Sequence, residues 1–148
     1  GEQFVKQWIL ELHPNVSSIT DVSDDKFYQK QDIDFVVDFT NGKQATVEIK
    51  TDTYKTGNMF FETISNEEYQ TKGCLMKTNS DFLFYYFPNY QNGVLYIFKM
   101  KAFRKFVLDN LPHFRERRVT NTTHTSIGYI VPLLYIENNF SEYKKYSV

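Results

Sequence analysis

The sequence predicts a mixed α/β (α+β) domain built on one central mixed sheet flanked by helices. Three observations carry that expectation. An amphipathic helix opens the chain, a hairpin of alternating strands follows it, and further apolar strand-like runs surround a second amphipathic helix. The 148 residues suit one domain with one core, spanning 1–148.

Phe4, Val5, Trp8, Ile9 and Leu12 recur at helical spacing, so residues 2–12 read as a helix with one apolar face. His13-Pro14-Asn15 ends it, because proline disfavours helix in the residue before it. Residues 15–31 are polar and rich in Ser and Asp, with a short strand near Ser18–Val22. Ile33, Phe35, Val37 and Phe39 then alternate with Asp34, Val36 and Asp38, the period of a strand. Asn41-Gly42 is a hairpin turn signal, and Ala45–Thr51 reads as the return strand. Further strands are expected at Met59–Ile64, Phe82–Phe87 and Val94–Met100. A helix is expected at Lys101–Leu111, stopped by Pro112. Ile127–Ile136 reads as a last apolar strand in which Pro132 marks an edge or a bulge. The tail from Asn138 reads as a short helix or an ordered arm.

Composition excludes several classes. Hydrophobic residues make up 41% and aromatic residues 18%, enough apolar surface to fold without staples. No run approaches the roughly 18 apolar residues of a membrane span, and no signal-peptide pattern is visible. Cys74 is the single cysteine, so no internal disulfide forms and a reducing, cytoplasmic setting is expected. His13, His113 and His124 lack metal-ligand spacing, which argues against zinc. No Gly-rich phosphate loop is present.

The net charge of −1 is uninformative, but its distribution is not. Nine acids stand against four lysines from Glu11 to Asp52, whereas seven bases stand against two acids from Lys99 to Arg118. An acidic centre that holds cations beside a basic flank that attracts phosphates suits a metal-dependent phosphodiesterase; ordinary scatter of surface charge gives the same count as readily.

The chemistry-bearing segment is Asp32-Ile33-Asp34, a hairpin, then Val47-Glu48-Ile49-Lys50. Residues two apart on a strand share a face. Glu48 and Lys50 therefore project together, Val47 and Ile49 face a core, and Asp34 lies opposite or diagonal to the pair. Carboxylate oxygens are hard ligands for Mg²⁺ or Mn²⁺, and the Ile49 carbonyl is a further oxygen donor. A lysine ammonium orients the attacking water or stabilises charge on the phosphorane.

Asp34 followed by Glu48-Ile49-Lys50 resembles the core of the PD-(D/E)XK nuclease superfamily, which includes restriction endonucleases, Holliday-junction resolvases and repair nucleases. Glu2 at the helix start makes the likeness strongest to small resolvase-type members. Thr56-Gly57-Asn58 and Phe60-Phe61-Glu62 are similar to phage-borne members. The resemblance covers roughly residues 1–100, and only 32–50 are specific. It implies a restriction-endonuclease-like fold and Mg²⁺- or Mn²⁺-dependent cleavage of DNA, branched or single-stranded, by an endonuclease of phage or mobile-element DNA processing. A homodimer would serve to cut both strands.

On this reading Asp34, Glu48 and the Ile49 carbonyl bind metal and Lys50 aids the nucleophile. Glu2 and Glu62 are further site candidates. Asp32 is an alternative to Asp34 as the ligand, and Asp38 is solvated. Glu2 serves equally well as a favourable charge at a helix N-terminus. Lys55, Asn58, Lys101, Arg104 and Lys105 are candidate nucleic-acid contacts; the last three equally suit a solvated helix face. Arg115, Arg117 and Arg118 add to the basic flank. The alternative is a catalytically inactive nucleic-acid-binding module on the same fold, or an interaction protein whose acids are surface charges.

Overall fold

A computed structural model describes the backbone of residues 1–148 and every side chain but that of Leu12. The mixed α+β class holds. The chain runs α1 (Glu2–Leu12), β1 (Val16–Asp21), α2 (Lys26–Gln29), β2 (Phe35–Phe39), β3 (Gln44–Thr51), β4 (Asn58–Asn66), β5 (Thr71–Lys72) and α3 (Cys74–Lys77). It continues through β6 (Phe82–Phe87), β7 (Val94–Lys99), α4 (Met100–Asp109), a 3₁₀ turn (Leu111–His113), β8 (Arg115–Thr120), β9 (Thr125–Pro132), α5 (Leu133–Asn139) and β10 (Tyr143–Ser147).

The expectation of one sheet is corrected to two. The central sheet has the order β1-β2-β3-β6-β7-β10 and is mixed: β3 and β6 are parallel, and every other pair is antiparallel. The second sheet, β5-β4-β9-β8, is antiparallel throughout. A parallel pair needs a crossover, and the stretch between β3 and β6 carries β4, β5 and α3.

Each central strand is sided by its alternation. On one face α1 lays Val5, Trp8 and Ile9 over Phe35, Val37, Val47, Ile49, Phe84 and Leu95. Full burial of each such side chain contributes about 1.5–3 kcal/mol. On the other face Leu83, Tyr85, Phe87, Tyr96 and Phe98 pack against Met59, Phe61 and Val131 of the second sheet and Phe103 and Val107 of α4. Helices therefore flank only part of the central sheet, because the second sheet covers much of its other face.

The 127–136 run is a second correction. The strand stops at Pro132 and residues 133–139 are helical. Leu133 and Ile136 fall at helical spacing and are both buried. A short apolar run satisfies either period, and a proline with φ −63° at the N-cap lets the chain change from one to the other. The tail forms β10 against β7. The short helix α1 ends at His13 as its sequence implies.

Candidate active site

The hairpin of β2 and β3 places the acids. Phe35 pairs with Val47, so one step outward Asp34 faces Glu48 on the same side of the sheet. The Asp34 N–H donates to the Val47 carbonyl at 2.9 Å. Its Oδ2 accepts from the Ile49 N–H at 2.8 Å. The carboxylate thus replaces the ladder bond that β2 no longer supplies. The Ile49 carbonyl leaves β3 on the same edge as its N–H, toward Asp34.

Glu48 is 4% exposed, and its Oε1 lies 3.2 Å from the Lys50 Nζ. Burial pushes its carboxyl up to about 8; Lys50 opposes that rise, while Asp34 and Asp32 add to it. Burial works to lower the Lys50 ammonium, but the Cys74 sulfur and the Glu48 carboxyl outweigh it, so Lys50 stays protonated. Burial also raises the Cys74 thiol.

Glu2 stands in the first turn of α1. Its carboxyl is raised by burial and by the charges of Asp34 and Asp21. Gly1 lies against the Thr51 side chain at the end of β3. Glu62, on β4, is raised by burial and drawn down by Lys50 and His124.

Lys50, Glu62, Cys74, Phe60 and Tyr85 line a cleft of about 300 Å³. A larger trough of about 370 Å³ lies on the opposite face of the central sheet. Its floor is Val37, Val47, Phe84 and Ile97, and Glu142 is the one acid among its walls, beside Lys99 and Lys144.

Asp32 lies near this group but outside the β2–β3 register. It has φ 51°, so it has left the strand, and its Oδ2 lies 3.4 Å from the Lys77 Nζ. Its carbonyl accepts from the Thr78 Oγ1 at 2.8 Å. Asp34, not Asp32, is the acid in register with Glu48. Asp38 accepts from Gln44 and Ser18 beside the turn.

The candidate nucleic-acid contacts divide. Lys55 is exposed on the loop leaving β3, and Asn58 opens β4 after Gly57, whose φ of 73° makes the turn. Lys101 is exposed on α4, and Lys105 pairs with Asp109 at 2.6 Å. Arg104 has a structural partner set: Nε donates to the Leu75 carbonyl at 2.9 Å and Nη2 to that of Thr78 at 2.6 Å. Its guanidinium ties α4 to α3 and, through it, to Cys74.

Cys74, His124 and Tyr85 have no signal in the sequence. Cys74 comes to it on the crossover, His124 on the second sheet and Tyr85 on β6 beside β3, placements that local periodicity does not report.

The donors fit a hard divalent cation. Asp34 and Glu48 stand opposite one another in the β2–β3 register, with the Ile49 backbone beside Asp34, and Mg²⁺ commonly takes one or two protein carboxylates and keeps waters elsewhere. The raised Glu48 carboxyl is the corresponding electrostatic mark, since a cation would favour its ionised form. Among the described residues no group of three or more His, Cys, Asp or Glu side chains is placed to hold a metal, so water would complete the shell. No family model, curated protein or solved structure matches the chain.

Proposed function

We propose that the protein is a metal-dependent nuclease of the PD-(D/E)XK kind that hydrolyses phosphodiester bonds in DNA. The observation that carries the reading is the β2–β3 register: Asp34 opposes Glu48, Lys50 projects two residues on, and the Asp34 carboxylate is fixed by the Ile49 N–H. Rigid strands suit such a constellation because small displacements of a catalytic group are costly.

Asp34, Glu48 and the Ile49 carbonyl would hold Mg²⁺ or Mn²⁺. When bound, the ion would polarise the phosphoryl oxygen and lower the pKa of water. Lys50 carries its proton into the reaction as a fixed positive charge beside the phosphorane. Glu62 shares the Lys50 cleft and Glu2 feels the Asp34 charge; on this reading each would orient water or substrate. The setting that agrees with the resemblance is phage or mobile-element DNA processing, including junction resolution. A homodimer would serve double-strand cutting.

One observation favours a second reading, a nucleic-acid-binding module without catalysis. The Glu48 carboxyl is already paired with Lys50 and shielded from water. The test is a cleavage assay on single-stranded, duplex and four-way-junction DNA with Mg²⁺, Mn²⁺ or EDTA. It compares wild type, Asp34→Ala and Lys50→Ala. Metal-dependent cutting by wild type, lost in both variants, is the expected result. DNA binding indifferent to metal, with no cutting of any substrate, would establish the second reading.

A further inference from the structure

The outer face of the second sheet runs away from the cleft and ends in unpaired positive charge. Cross-strand partners share a face. Phe60, Ile130 and Arg115 form one row across β4, β9 and β8, and Glu62, Gly128 and Arg117 form the next. Met59, Phe61 and Val131 point the other way, into the core. Glu116 stands on that opposite face too, exposed, with the Tyr129 hydroxyl donating to it. Outward, β8 therefore presents Arg115 and Arg117 without an acid between them.

All six residues of β8 are exposed. Arg118 pairs with Glu67, whereas Arg115 and Arg117 have no ion-pair partner among the described residues. Between them and the cleft lies an aromatic surface. A Cβ on Gly128 would come within 2.5 and 2.6 Å of two carbons of the Phe60 ring. The absence of that carbon lets the ring lie against the sheet, half-buried, beside Glu62. Phe60 and Glu62 are also walls of the cleft that holds Lys50, so the surface and the cleft are continuous. At strand spacing the row from Glu62 to Arg117 spans roughly 10 Å, the reach of one or two nucleotides.

We propose that this face is the path of a single strand of nucleic acid leading into the cleft. Phe60 supplies a stacking surface for a base next to the reacting phosphate, and Arg115 and Arg117 contact the phosphates beyond it. A strand with unpaired bases is the occupant because a half-buried aromatic ring beside the cleft can take an open base face, which a duplex keeps stacked. The arginines match the charge of its backbone. This inference rests on the nuclease reading for the direction of the path, not for its composition.

The test measures binding of a fluorescein-labelled 20-nucleotide oligothymidylate, and of a duplex of equal length, in EDTA. Wild type, Arg115→Ala/Arg117→Ala and Phe60→Leu are compared, and cleavage is assayed separately with Mn²⁺. Wild type should prefer the single strand. The double arginine variant should bind it at least about tenfold more weakly, with a salt slope lower by roughly 1.4, about 0.7 per phosphate contact. Phe60→Leu keeps the site apolar and should weaken binding about tenfold at an unchanged slope. The arginines are surface residues, so their loss tests the path without the fold. Unaltered binding in both variants, or tighter binding of duplex, would overturn the path. Cleavage by wild type together with unaltered binding in the variants would retain the nuclease and reject the path. Binding lost in the variants with no cleavage by wild type would do the reverse.

Discussion

Replacing Glu48 with glutamine removes a carboxyl that is buried on an inner strand and keeps its shape. The folded-state value of about 8, against the usual 4.5, corresponds to a penalty on the ionised form on the order of 5 kcal/mol. The folded pKa lies above the unfolded one, so between pH 4.5 and 8 the native state keeps a proton that the unfolded chain has released. Stability therefore falls as pH rises through that window and levels off above it. At pH 7 the penalty is about 3 kcal/mol, which for a chain of this length is roughly 10 °C in Tm. Glu48→Gln has no proton to lose. It should match wild type near pH 5, melt well above it at pH 8, and cut no DNA. The assay is thermal unfolding by circular dichroism in EDTA at pH 5, 7 and 8, repeated with Mn²⁺. Mn²⁺ should raise the wild-type Tm at pH 8 by binding the native state and leave the variant unmoved. Parallel pH profiles for the two proteins would refute the argument.

Arg104→Met should cost about 1–3 kcal/mol in urea unfolding by leaving the Leu75 and Thr78 carbonyls without their donor; it should not change the salt slope of DNA binding, as loss of a phosphate contact would. Gly73→Ala places a Cβ against the Glu62 carbonyl, so it should lower stability by about 2 kcal/mol and depress cleavage by shifting β4 from α3, measured by denaturation and single-turnover rates. Glu137→Ala strands the hydroxyl of the buried Tyr96, which donates to Glu137 at 2.6 Å, and should cost about 1–2 kcal/mol. Tyr96→Phe, which removes donor and need together, should cost less in the same melts. That hydrogen bond holds the Glu137 carboxyl below its usual range, so its contribution is present above pH 4.5 and fades in acid.

The parts of the fold that local pattern could reveal were those whose pattern is set by one buried face. The β2–β3 hairpin alternates because its odd residues meet α1, and that alternation fixes Asp34, Glu48 and Lys50 on one side. Strand β8 offers no such pattern: Arg115–Thr120 is exposed on both faces and is a strand only because β9 pairs with it. The tail is a strand because β7 has a free edge. Asp32 and Asp34 look equivalent in sequence, and only the left-handed turn at Asp32 separates them. Arg104 reads as a basic surface residue until the carbonyls it satisfies are located. The second sheet is not legible in the sequence because alternation reports that a strand is half-buried, not which layer it joins.

The crossover between β3 and β6 has a consequence for the order in which the protein becomes competent. Asp34 and Ile49 are 15 residues apart and belong to one hairpin, whose local contacts can form early. Glu62 and Cys74 lie within the inserted stretch and meet Lys50 only when the second sheet has docked. A newly made chain would thus carry its acids and lysine before it has a cleft to use them in. Damage to the packing of Met59 or Phe61 would return a mature molecule to that state, with the β2–β3 hairpin intact and no wall beside Lys50.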